Sequence, residues 1–361
     1  MEYQARVDRL RAHASSSHLA GVLVFSWRRG VVAWFTGYRP GFVTNQAALW
    51  VPVDGRPVLA VRFPFESDRA TRIDAFEVRP AADPATLPPA DARIGLVARD
   101  LAVDERSVSL VEGLGSRGID VTDLGGVVDR WRATKSAAEI EQIRRAGEIG
   151  SAALDAAGAH PVPGETDFEI AARVEAEARR LGAFRVACLV GVGDGAVVTE
   201  ATGDTVGRSD PVGLELTLDV GLGCAHVNAA LPPDPPRPVD ERADRACRET
   251  RRALFEATRP GVLVDEVVKV GDRVLERYGL LAYKEYDFGH GVGVETPEIP
   301  RLIAGTGERI VEDMTMAVHV AVRRPGGETA FVGGPVVVRS DGAEELVPAA
   351  SWAIGAGGNP G

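Results

Sequence analysis

Apolar positions near the start of the chain recur with a helical period. Val7, Leu10 and Ala14 fall on one face, which predicts a helix over residues 1–18. Gly21-Val22-Leu23-Val24-Phe25 follows as a short continuous apolar run, the pattern of a buried strand. Val31-Val32-Ala33-Trp34-Phe35 is helical or extended and is broken by Gly37 and Pro40. Residues 47–53 and 57–62 flank Asp54-Gly55, a hairpin signal. Arg93-Ile94-Gly95-Leu96-Val97 predicts a further strand, with a helical stretch to about Arg117. This alternation predicts an α/β domain over residues 1–130. No phosphate-cradling glycine pattern follows any of these strands, so no nucleotide site is expected there.

Beyond residue 130 the pattern changes to paired helices with explicit start signals. Ser136 with Glu139, and Thr166 with Glu169, form capping boxes. Ile140, Ile143 and Ala146 line one face of the first helix; Ile170, Val174, Ala178 and Leu181 line one face of the second. The design then returns. Pro163-Gly164 matches Pro260-Gly261, Glu169 matches Glu266, and Gly182 matches Gly279, an internal repeat with an offset of 97 residues. Each copy is followed by β-like segments, at 184–198 and 286–294. Two copies are too few for a solenoid. They predict a pseudo-symmetric α+β domain over residues 131–350, with its site between the halves, and a tail at 351–361.

Composition narrows the class. The 361 residues are too many for one ordinary core and imply two domains. Hydrophobic content of 45% with 26% charged residues is that of a soluble globular protein. A net charge of −11 argues against nucleic acid or an anionic membrane as partner. Cys188, Cys224 and Cys247 are widely spaced and odd in number, which gives neither a disulfide framework nor a metal knuckle. The charged N-terminus lacks a signal-peptide core, and no apolar run is long enough to span a bilayer, so a cytoplasmic protein is expected.

The densest chemical signal is Phe288-Gly289-His290-Gly291-Val292-Gly293-Val294-Glu295-Thr296-Pro297-Glu298-Ile299-Pro300. Glycines this close let backbone approach a ligand and leave the imidazole unshielded. Of the six histidines, His13, His18 and His160 read as surface residues. His226, His290 and His319 all belong to the second domain.

These motifs resemble the pita-bread family of aminopeptidase P, prolidase and creatinase. Trp34-Phe35-Thr36-Gly37-Tyr38 is similar to a signature of the family's N-terminal domain, and Arg132 through Ile140 to the segment leading into its catalytic domain. Leu218-Asp219-Val220-Gly221 and Gly289-His290-Gly291-Val292-Gly293 are similar to the strands carrying its first metal-binding aspartate and its metal-binding histidine. The resemblance implies an α+β fold: a C-terminal pseudo-two-fold pita-bread domain preceded by a smaller α/β creatinase-type N-terminal domain. It also implies two metals held by two aspartates, one histidine and two glutamates. Asp219 and His290 match that set. The second aspartate falls at Asn228-Ala229-Ala230, the first glutamate at His319 and the second at Gly333. A dinuclear centre needs bridging carboxylates between its dications, and both bridging positions lack one. Glu200 stands at the substrate-side histidine and Pro297 at the family's second histidine, with Glu298 and Pro300 retained.

The polar residues expected to face the cleft are Glu200, Asp219, His226, Asn228, His290, Glu298 and His319. The leading expectation is a metal-independent enzyme with no cofactor, hydrolysing a C–N bond in a small amide, amidine or guanidino-type molecule. His290 and His319 would donate and accept protons, Asp219 would orient one ring, and Glu200 and Glu298 would complete the relay. His226, Asn228, Arg323 and Arg62 are the expected substrate contacts, the arginines through their bidentate fork. One alternative is a single metal on His290, His319 and Asp219. The other is a domain that has lost catalysis and binds a peptide or protein. Packing offers a further reading for each histidine, with His290 as a core residue hydrogen-bonded to Asp219. The resemblance also implies a homodimer.

Overall fold

The computed structural model describes residues 2–27, 30–41, 46–81, 83–98, 105–158, 160–195, 197–327 and 329–347. The tail expected at 351–361 lies outside the described residues. Two compact units divide the chain, Met1–Trp131 and Arg132–Gly361.

The first unit runs α1 (Glu2–Ser16), β1 (Gly21–Trp27), α2 (Gly30–Thr36), β2 (Gln46–Pro52), β3 (Val58–Val61), α3 (Pro64–Ala70), β4 (Glu77–Pro80), β5 (Arg93–Ala98), α4 (Glu105–Gly115), β6 (Asp120–Asp123) and α5 (Gly125–Ala133), which ends just past its boundary. Its six strands form a mixed sheet in the order β4-β3-β2-β1-β5-β6. Val7, Leu10 and Ala14 are the buried face of α1. The ambiguous 31–35 run is helical, and every residue of α2 is buried; an all-apolar sequence suits a helix enclosed on all sides. Leu23, Phe25, Ala48, Trp50, Ile94 and Leu96 project from one sheet face into a core shared with Leu110 and Leu114 of α4. The alternating positions on adjacent strands make that face continuous.

The second unit repeats one plan twice. Its first half is α6 (Ala137–Asp155), α7 (Asp167–Arg180), β7 (Arg185–Val192), β8 (Val212–Val220) and β9 (Gly223–Leu231). Its second half is α8 (Pro238–Ala257), α9 (Val264–Arg277), β10 (Gly289–Gly291), β11 (Glu298–Arg301), β12 (Thr315–Arg323), β13 (Thr329–Arg339) and β14 (Gly342–Glu345). Both capping boxes form, with Ser136 and Thr166 each accepting from the third helical amide. Such a cap satisfies amides the helix cannot and contributes about 1 kcal/mol.

The strands build one antiparallel sheet in the order β11-β10-β12-β13-β9-β8-β7, with β14 on β13. Helices α6 and α7 bury Ile149, Leu154, Ile170 and Val174 against Leu214, Leu216 and Leu218 of β8. Helices α8 and α9 bury Leu254, Val267 and Leu275 against Met316, Val318 and Val336 of β12 and β13. Each half therefore has its own core. The halves join where Gly333 of β13 pairs with Asn228 of β9.

Candidate functional site

Strand register sets the site. His290 lies opposite Ala317, two residues before His319 on β12. His319 lies opposite Gly333, and Gly333 opposite Asn228. His226 is two residues before Asn228, and β8 places Thr217 and Glu215 opposite these two. Since side chains alternate along a strand, His290, His319, His226, Asn228 and Glu215 all project from one face. Three imidazoles from both halves of the repeat are thereby brought together across the join.

Their ligating nitrogens lie within 4.8 Å of one another. The ring centroids form a near-equilateral triangle, 5.3 Å from His226 to each of the others and 5.6 Å between His290 and His319. Glycine makes the approach possible. A Cβ on Gly333 would sit 2.4 Å from Asn228 Oδ1 and 2.5 Å from His319 Cβ, so those two side chains occupy the space above it. A Cβ on Gly291 would sit 2.2 Å from the Ile299 carbonyl, which explains why the histidine of β10 is flanked by residues without side chains.

Each ring has a partner on one nitrogen. His226 Nε2 is 2.9 Å from Asn228 Nδ2 and 3.4 Å from a Glu215 oxygen. His290 Nδ1 faces the Gly291 carbonyl at 3.2 Å and Thr296 Oγ1 at 3.4 Å. His319 Nε2 faces Asp287 Oδ1 at 3.8 Å, and Asp287 also accepts from Arg301. Within this cluster the buried His319 Nδ1 and Asn228 Oδ1 have no hydrogen-bond partner. Tyr286 and Phe331 wall the His319 side, with centroids 6.3 Å and 6.2 Å from that ring.

Electrostatics keep two of the rings neutral. Burial lowers the His290 pKa to about 4, helped by repulsion from His226. Burial also takes His319 well below its ordinary value, and His226 and His290 push in the same direction. Burial works to raise Glu215, but its hydrogen bond and attraction to His226 outweigh that and hold the carboxyl below its usual range. Two uncharged imidazoles, His290 and His319, therefore lie in a centre that also holds the ionised Glu215 carboxylate.

Not every residue expected in the cleft is in this group. Glu200 is exposed in a bend, accepts from Thr199 Oγ1 at 3.1 Å, and is not one of the clustered donors. Asp219 is fully buried at the closed end of the β8–β9 hairpin, opposite Cys224, and is not one of the three clustered donors. Glu298 is engaged in a buried ion network instead. Its carboxylate meets Arg132 at 2.6 Å and Lys135 at 3.0 Å, and Arg132 also meets Glu295 at 2.9 Å. Arg323 grips Glu285 with two nitrogens at 2.7 Å and 2.8 Å and donates to the Gly195 carbonyl. Arg62, in the first unit, is exposed and donates to Gln46.

Sequence reasoning missed Glu215, Tyr286, Asp287, Thr296 and Phe331. Glu215 carried a signal, since Glu215, Thr217 and Asp219 alternate with leucines in Leu214-Glu215-Leu216-Thr217-Leu218-Asp219 and so share a face. Which end of that polar stripe meets the histidines depends on the hairpin register, in which Glu215 is opposite Asn228 and Asp219 is opposite Cys224.

Comparison with known proteins places these observations. Residues 141–340 match the model of metallopeptidase family M24, and residues 6–134 match the creatinase/prolidase N-terminal domain. A probable dipeptidase, PepE, of Mycobacterium tuberculosis is 29% identical over 243 residues. That match covers 65% of this chain and 63% of the relative, so the chain spans less than two thirds of that relative's length. The crystal structure of the prolidase from Pyrococcus horikoshii OT3 superposes with a TM-score of 0.84 at 19% identity, covering 95% of this chain and 97% of that one. Dipeptidase PepE from Mycobacterium ulcerans gives 0.80 at 23% identity, covering 96% and 95%. At these identities the two superpositions speak to fold alone.

Proposed function

Because the chain belongs to metallopeptidase family M24, we propose that it hydrolyses a C–N bond in a small amide-type substrate, and that the reaction centre is the imidazole cluster rather than the family's pair of bridged metals. The observation that carries this reading is the convergence of His226, His290 and His319 on one face of the sheet. The matched relatives are named as dipeptidases, which supports a short amide as the substrate class.

The residues do not fit a bridged pair of dications. Two such ions need carboxylates between them, and the positions aligned with those carboxylates hold Asn228, His319 and Gly333. Gly333 has no room for a side chain of any kind. The proton relay expected from the sequence also loses support. With His290 lowered to about 4 and His319 well below its ordinary value, neither ring is an imidazolium able to act as a general acid at neutral pH. What the neutral rings can do is present lone pairs to a substrate proton or to a Lewis acid. Glu215, held ionised beside His226, fixes that ring and supplies the negative charge of the site.

A panel of dipeptides, N-acyl amino acids and small amidines, incubated with the purified chain and read by mass spectrometry, tests the reading. Turnover that His290→Ala abolishes supports it. Turnover that survives His290→Ala removes it.

One observation favours a second reading, a non-catalytic binding domain: the three histidines are only 4–8% exposed, which leaves little access for a substrate. Absence of turnover across the panel, together with a thermal shift on adding a peptide, would support that reading instead.

A further inference from the structure

We propose that His226, His290 and His319 bind a single divalent transition-metal ion through their imidazole nitrogens. The inference shares its residues with the functional reading above but does not depend on any activity.

Geometry carries the argument. Three imidazoles around one tetrahedral ion, at metal–nitrogen distances of about 2.0–2.1 Å, place their nitrogens about 3.4 Å apart. The observed limit of 4.8 Å leaves a closure that small ring rotations supply, since the three side chains hang from strands of one hydrogen-bonded sheet. Three-histidine sets with an open fourth position are a pattern of catalytic zinc sites, and imidazole also suits copper, iron and nickel.

The surroundings match what a ligating histidine needs. Such a ring binds metal with one nitrogen and is oriented by an acceptor on the other, a carboxylate or backbone carbonyl. His290 Nδ1 has the Gly291 carbonyl at 3.2 Å; His226 Nε2 lies 3.4 Å from Glu215 beside the Asn228 amide, and His319 Nε2 has Asp287 as its nearest carboxylate at 3.8 Å. His319 Nδ1 and Asn228 Oδ1 are left buried without partners in the same place. Buried acceptors are seldom abandoned in this way, and a cation satisfies such atoms. Asn228 offers its amide oxygen as an additional neutral donor.

Charge sets the number of ions at one. Imidazoles and an amide bring no charge of their own. Of the two carboxylates beside the rings, Asp287 is already paired with Arg301, which leaves Glu215. One dication is partly offset by that carboxylate; two would repel each other with nothing bridging them. The single-metal alternative drawn from the sequence counted Asp219 as the third ligand. Among the described residues the third clustered donor is His226.

The test uses the full chain, stripped with a chelator and dialysed, then titrated with Co²⁺ alone and Zn²⁺ alone by calorimetry, with Co²⁺ also followed by visible absorption. One ion per chain is expected, with a Co²⁺ spectrum that His319→Ala eliminates. Glu215→Gln keeps all three ligands and should weaken binding about 10–100-fold. Melting of each chelated variant at the wild-type temperature, without the metal-induced rise, separates lost binding from lost folding. Should His319→Ala fail to fold, Glu215→Gln carries the test. Heat of binding too small to titrate, two ions per chain, or unchanged affinity in the variants each overturns the proposal. A chain that binds one ion and hydrolyses nothing removes the hydrolase reading only. A chain that hydrolyses the substrate yet takes up no ion in either titration removes the metal site only.

Discussion

Replacing Glu298 with glutamine should cost the second unit several kcal/mol, and the cost should depend on pH in a defined direction. The carboxylate is 5% exposed and lies between Arg132 and Lys135, themselves 6% and 2% exposed. Burial alone would raise its pKa, but attraction to Arg132 and then Lys135 prevails and lowers it from 4.5 to about 2. That difference corresponds to about 3 kcal/mol of preference for the ionised form in the fold. Glutamine removes the charge and leaves two buried cations with only Glu295 nearby, for which a loss of about 3–5 kcal/mol is expected. A carboxyl whose folded pKa is depressed contributes its full stability above the unfolded value near 4.5, and loses it as pH falls towards about 2. The gap between wild type and Glu298→Gln should therefore be wide at pH 7 and narrow steadily below pH 4.5. Urea unfolding read by pulse-labelling hydrogen exchange on peptides from β10 to β13 reports the second unit by itself. Equal midpoints at pH 7, or a gap that stays constant down to pH 3, would refute the assignment of this network as a source of stability.

Two further outcomes follow from packing. Gly333→Ala drives a Cβ into Asn228 Oδ1 and His319 Cβ, so a loss of about 1–3 kcal/mol is expected. An unchanged thermal midpoint would show that the two side chains do not fill that space. Burial pushes the Cys188 thiol up to about 12 and raises Cys247 as well, and Cys188, Cys224 and Cys247 are all buried with no disulfide among the described residues. Thiolate is the reactive form, so Ellman's reagent should leave the native chain unmodified and react with three thiols in urea. Rapid native labelling of Cys188 or Cys247 would contradict that burial.

What could be read from the sequence was whatever is written locally. Capping boxes at Ser136 and Thr166 need only four residues each, and both are present. The 97-residue repeat foretold two halves, and the sheet joins them as β9 against β13. His226, His290 and His319 stood out because histidine is scarce here and all three sit in or beside apolar strands. The failures are non-local. Glu298 reads as a cleft acid until Arg132 and Lys135, more than 160 residues away, are seen to hold it. Glu200 follows a strand-like run but ends in an exposed bend. Asp219 stands out through the resemblance of Leu218-Asp219-Val220-Gly221, whereas hairpin register decides that Glu215 is the acid of this strand that meets a histidine.

Gly333, His319 and Asn228 are better understood as one coupled arrangement than as separate features. Without a side chain at 333, β13 leaves space that the His319 ring and the Asn228 amide fill. A proton added to His319 is opposed first by burial and then by the His226 and His290 rings and by Arg251 and Arg301. His290 and His319 are therefore arranged to stay neutral, beside the ionised Glu215. Neutral imidazoles buried together gain little from one another, since each has a lone pair that its neighbours do not satisfy. Domain packing does not explain three of them on adjoining strands, because leucine or valine would fill the same volume without desolvating polar atoms. An electron-pair acceptor shared by all three does explain them.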